Sequence, residues 1–241
     1  MLSYKNYCFF DFETDSTNSN IANPLELSIM LVSYNRVLNL QKFKIHYPLK
    51  YYHCSESQKE ALAFNEIYSQ NDIDLHNQDS ISIKDALNVF FVTIKNNFQK
   101  QDFILSGFNN NLYDNIILKR YLKEYQPQHL HFFLKQSLDI FDFIKSMSKD
   151  DRLDIDLRTD YFKSYENRIF TDYKQLTIYK CIFKTGFKAH DSLEDVKALY
   201  KIFKFYAKKF PHLINKYLSE QKDYYDMQEE FRQAYEVQIK C

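Results

Sequence analysis

The sequence predicts an α/β domain built on a mixed central β-sheet with flanking α-helices. Three observations carry this. Residues 4–47 hold three strand patterns separated only by turn residues. From residue 56 onward, helical periodicity alternates with a short apolar strand at 102–108. Carboxylates and a histidine stand at the ends of these elements, where α/β sheets place their sites.

The elements follow in order. Residues 4–12, rich in Tyr and Phe, read as a first strand. "PLELSIMLVSYN" (24–35) reads as a second, with Leu25, Leu27, Ile29 and Leu31 alternating against Glu26, Ser28 and Met30. Asn35-Arg36 is a plausible hairpin turn into a third strand, "VLNLQKFKIHY" (37–47), so the opening is an antiparallel meander. Residues 56–69 are expected to be helical. "SISIKDALNVFFVTIKNNF" (80–98) is a longer amphipathic helix opened by a serine cap. The strand at 102–108 ends by Gly107, and 109–125 reads as a helix with Leu112, Ile116 and Tyr121 on overlapping faces. "SLDIFDFIKSM" (137–147) fits either a strand or a helix, and 150–170 is a polar surface excursion. A helix is expected at 173–184, then a loop, "TGFKAH", then a strong helix from Asp191 to about Lys209. That helix turns Leu193, Val196, Leu199, Tyr200 and Phe203 inward, and Pro211 ends it. The division expected is a domain over 1–210 and a helical extension over 211–241, packed on the domain or docking a partner.

Composition narrows the class. A length of 241 residues suits one well-packed domain. With only 2 Gly, turns must rely on Asn, Asp and Ser. The 42 Tyr and Phe (20 and 22) are mostly core. A formal net charge of +0 gives no bulk pull toward nucleic acid, so such a partner needs a local site. Cys8, Cys54, Cys181 and Cys241 are scattered without CxxC spacing, which argues against a disulfide framework or a zinc site. Reduced thiols, no apolar signal region and no membrane-length apolar run lead us to expect a cytoplasmic protein.

The stretch "YCFFDFETDS" puts Asp11 and Glu13 one residue apart in an apolar strand, on one face by the period of two. Buried charge of that kind needs a positive partner. Asp114 stands near the start of a helix after a strand and a glycine, and "HDSLEDV" gives His190 and Asp195 at the start of another. Each alone has an ordinary explanation: edge-strand charges, a helix-start residue, a loop histidine. Asp191 reads as a helix cap and Glu194 as a surface charge. Together, four carboxylates and a histidine match phosphodiester hydrolysis with two divalent metals. Hard oxygen ligands hold magnesium or manganese, and a histidine titrating near neutrality takes a proton from water. The ions would be the positive charge that the strand needs.

The segments "FFDFETDS", "GFNNNLYDNIIL" and "HDSLEDVKALYKIF" resemble the three motifs of the DEDDh 3′–5′ exonucleases, the DnaQ-like family with a ribonuclease H-like fold. The second and third are most similar to the exonuclease I branch. The resemblance covers roughly residues 5–205, and its specificity lies in the three motifs occurring in order. It implies that Asp11, Glu13, Asp114 and Asp195 coordinate two divalent cations, Mg2+ or Mn2+, and that His190 is the general base. In the family, the first aspartate touches both ions and the second-motif aspartate acts largely through water. Asn110 and Thr14, with Asp15, match positions that contact the substrate strand. Phe12, Phe108 and Tyr113 flank the motifs as candidate substrate contacts. Residues 48–80 and 148–172 depart from the family pattern and are expected to shape the substrate groove. The implied activity is removal of 5′-nucleotides from the 3′ end of single-stranded DNA. The alternatives are an exoribonuclease, or a proofreading or accessory subunit that docks to a polymerase or other nucleic-acid enzyme.

Overall fold

The computed structural model describes residues 6–99, 102–130, 137–149 and 174–221. One five-stranded sheet runs through it in the order β3-β2-β1-β4-β5. β1 (Asn6–Thr14), β2 (Pro24–Ser33) and β3 (Arg36–Lys44) form the expected antiparallel meander. β4 (Ile104–Gly107) and β5 (Ser137–Asp139) then add in parallel, making the sheet mixed. The β2–β3 turn sits one residue earlier than expected. Tyr34 and Asn35 both take left-handed backbone, with φ of 50° and 64°, which suits the twist of a two-residue hairpin.

The helices are α1 (Glu56–Phe64), α2 (Gln70–Gln78), α3 (Ile83–Phe98), α4 (Asp114–Tyr125), α5 (Ile140–Lys149), α6 (Gln175–Phe183) and α7 (Ser192–Lys209). Residues 211–221 are also helical. The helix expected over 56–69 stops at Phe64, and a second helix, α2, begins just past that range. Glu66 turns the chain with φ 62°, and Ser69 caps α2 by accepting the Asp72 N–H. Residues 137–147 are a strand and a helix in succession. The helix expected from 109 begins at Asp114, after a turn. Leu112 is consequently 66% exposed, and Ile117, Leu118 and Leu122 form the buried face in place of Leu112, Ile116 and Tyr121.

Both faces of the sheet are covered. Tyr7 and Phe9 of β1 pack with Val196, Leu199 and Phe203 of α7, while Cys8, Phe10 and Phe12 pack with Leu87 and Phe90 of α3. β2 is likewise buried on both sides, so the residues between its leucines do not face solvent. Ser28 is fully buried and bonds the Ser192 hydroxyl at the start of α7, 2.8 Å away. Residues 211–221 add Ile214, Tyr217 and Leu218 to the core beneath α7. The excursion expected at 150–170 and the extension beyond 221 lie outside the described residues. No described helix is long and apolar enough to cross a membrane.

Gly107 marks where β4 delivers the chain to the site. A Cβ built there would lie 2.5 Å from Cβ of Asn110, which has no exposed surface. Gly107→Ala is expected to cost about 1–3 kcal/mol through overpacking, a fall in Tm of roughly 3–10 °C at this chain length. Thermal unfolding checks this, and an unchanged Tm would mean that the loop yields to a side chain.

Candidate active site

Beyond Phe9, the α7-facing side of β1 carries Asp11 and then Glu13. There the packed core gives way to the amino-terminal end of α7, which brings Asp195 from its first turn. Oxygens of Asp11, Glu13 and Asp195 lie within 4.8 Å of one another. β1 pairs with β4 only as far as Phe9, which leaves β1 open on that side. Asp114, the first residue of α4, uses the opening: its Oδ1 accepts the Phe12 N–H at 3.1 Å.

The charges bear on one another. Burial is the main cause that pushes the Asp11 carboxyl well above the usual range, with Asp114, Asp195 and Glu13 adding repulsion. Glu13 is pushed up to about 8 by burial and by Asp195, Glu26 and Asp114. Asp114 and Asp195 both rise to about 7, again mainly through burial, against hydrogen bonds that lower them. One cation stands nearby. Lys42 Nζ lies 2.7 Å from Glu26 and 3.2 Å from Asp191, and so is engaged with the outer carboxylates. Glu26 in turn is the β2 partner of Glu13. The inner oxygens therefore form a concentrated, hard-donor site that suits a divalent cation of the magnesium or manganese type.

His190 lies in the loop between α6 and α7, exposed, with φ 63°. The next residue, Asp191, is the cap of α7 and accepts the Leu193 and Glu194 N–H groups. Its own N–H donates to Asp195 Oδ2 at 3.2 Å, which ties the His190–Asp191 peptide to the acidic cluster. Glu194 pairs with Lys197 at the surface, as expected of it. One cleft is lined by the four carboxylates and His190, with Phe12, Phe108 and Tyr113 on its walls.

Three expected substrate contacts are placed elsewhere. Asn110 is fully buried and donates to the Ser137 hydroxyl at 2.8 Å, bracing the β4–α4 turn against β5. Asp15 is also fully buried and accepts from Asn23, Tyr47 and Gln58. It is a structural hub. Thr14 does not line the cleft; its hydroxyl bonds the Tyr113 hydroxyl and the Ser16 carbonyl. Two cleft residues were not anticipated. Asn109 takes φ 58° and gives its N–H to Asp139, a buried carboxylate that also holds the Asn111 N–H. The run of three Asn at 109–111, two residues past Gly107, is the local signal for that turn. Gln175 donates to the Asp195 carbonyl at 2.6 Å, and nothing in its local sequence marks it.

The sheet order, the helices on both faces and the position of the acidic cleft define a ribonuclease H-like exonuclease fold. The solved structures that it resembles include those of exonuclease I. E. coli exonuclease I in complex with a dA16 oligonucleotide superposes with a TM-score of 0.63 at 15% identity, over 88% of this chain and 43% of that one. The zinc-bound E. coli complex with single-stranded DNA gives 0.66 at 17%, over 88% and 42%. The exonuclease I of Methylocaldum szegediense gives 0.63 at 14%, over 88% and 42%. The chain thus spans less than half the length of these exonuclease I chains, and identity at this level establishes the fold alone. No protein-family model and no curated protein matches the sequence.

Proposed function

We propose that this protein is a divalent-metal-dependent 3′–5′ exonuclease that hydrolyses phosphodiester bonds at the 3′ end of single-stranded DNA and releases 5′-nucleotides. The observation that carries the reading is the convergence of Asp11, Glu13 and Asp195 within 4.8 Å, in one cleft with Asp114 and His190. Asp11, Glu13 and Asp195 would hold the cations directly, with Asp114 beside them. Two divalent ions bound there would neutralise the carboxylates and stabilise charge on the attacking and leaving oxygens. His190, exposed at the rim, accepts the proton of the attacking water. Phe12, Phe108 and Tyr113 offer apolar and aromatic surface to the terminal nucleotide. The choice of single-stranded DNA is supported by the DNA-bound exonuclease I structures that share the fold.

The test uses two 5′-labelled single strands, one DNA and one RNA, each with Mg2+, with Mn2+ and with EDTA. A metal-dependent ladder shortening from the 3′ end is expected, faster on DNA. A faster RNA ladder would move the substrate to RNA. Folded protein that gives no ladder on either strand would overturn the reading.

A further inference from the structure

We propose that Phe64, at the carboxy-terminal end of α1, is a positioning residue that holds the His190 imidazole over the carboxylate cluster. The inference rests on the reading of His190 as the general base, and deepens it.

His190 needs such a support. Its backbone is fixed on one side, through the Asp191 N–H on Asp195, but its side chain stands exposed on a loop. A mobile imidazole is a poor general base, because the proton must be met within hydrogen-bond reach. The ring contacts Phe64: the two ring centroids lie 5.4 Å apart, with planes at 41°. A tilted aromatic pair at this separation is attractive and restricts rotation.

The backbone that carries Phe64 is held in place. Phe64 is 66% exposed, so its own burial does not explain its place. The turn around it is anchored instead. Leu62 and Ile67, on either side, are buried in a small core with Leu25, Tyr47 and Ile73. The Ile67 N–H closes on the Leu62 carbonyl at 3.0 Å. At the other end of α1, Gln58 completes a capping box with Ser55 and donates to the buried Asp15 at 2.9 Å. Asp15 lies two residues beyond Glu13, so α1 is referenced to the strand that carries the cluster. A second link joins the same two segments: Glu66 pairs with Lys188 at 3.4 Å, two residues before His190. The pair is exposed and weak alone, but it brackets the ring contact. The segment 48–80, which departs from the family pattern, thus reaches the site through one aromatic ring.

The test is a double-mutant cycle on the full chain with labelled single-stranded DNA and Mn2+. Phe64→Ala is expected to lower kcat by about tenfold, part of the 10²–10⁴ that a general base contributes, with KM within about twofold and Tm unchanged. Phe64→Tyr, which keeps the ring, is expected to restore the rate. In a His190→Ala background, Phe64→Ala is expected to have no further effect. Wild-type kcat in Phe64→Ala would overturn the proposal. So would an equal loss with and without His190, or a loss confined to KM, since either would mean that Phe64 meets the substrate directly. The parent reading fails separately, by His190→Ala retaining the wild-type rate.

Discussion

Replacing Asp11 with asparagine is expected to abolish cleavage and, at the same time, to stabilise the metal-free protein. Asp11 is the carboxylate on which the others converge: Asp114, Asp195, Glu13 and Glu26 all raise its proton affinity. Asn keeps the shape but removes the charge that would hold a cation. A loss of at least about a thousandfold follows, roughly 4 kcal/mol of transition-state stabilisation. The same change relieves like-charge repulsion in a partly buried cluster, so Tm without metal should rise. Stability and activity moving in opposite directions is the signature of a site strained for function. An inactive variant with a lowered Tm would instead point to a structural role for Asp11. A variant that cuts at the wild-type rate would remove the cluster from the chemistry altogether.

How much of this was legible in the sequence is clearest at β1. The period-two rule placed Asp11 and Glu13 on one face, and they are there, because the strand pairs regularly with β2 from Asn6 to Glu13. Extended two residues, the rule would put Asp15 beside them. It fails there because the register shifts between Glu13 and Thr14, and a bulge turns the following side chains away. Asp15 then meets Tyr47 and Gln58, partners 32 and 43 residues off. No local pattern announces such contacts.

The other departures have the same character. Asn110 lies in a motif, yet its direction is set by the tight approach of Gly107 and by Ser137, which β5 supplies. The break between α1 and α2 carries neither glycine nor proline; Glu66 takes the left-handed conformation without either. β2 alternates as a half-buried strand would, but α7 covers its second face. The opening meander and the motif residues were legible from local sequence. Side-chain direction past an irregularity was decided by tertiary partners.

The acidic cleft also predicts how stability depends on pH. Glu13 titrates near 8, and Asp114 and Asp195 near 7, all far above their ordinary values of 4.5 and 3.8. Between about pH 4 and pH 8 the folded protein therefore holds protons that the unfolded chain has released. Unfolding free energy must fall as pH rises through this window, and the stabilisation is fully present only below it. Without metal, Tm is expected to drop on the order of 5–10 °C between pH 5 and pH 8 relative to Asp11→Asn, which lacks one of the repelling charges. Divalent cations should reverse the trend. They bind ionised carboxylates, so Mn2+ should raise Tm more at pH 8 than at pH 5. Saturation at a hundredfold over Kd would add about 2.7 kcal/mol. Asp11→Asn should lose most of that response. Thermal unfolding at the two pH values, with Mn2+ and with EDTA, decides it independently of any nuclease assay. If EDTA-treated wild type grows more stable toward pH 8, or if Mn2+ shifts wild type and Asp11→Asn equally, the four carboxylates are not the metal site that their geometry describes.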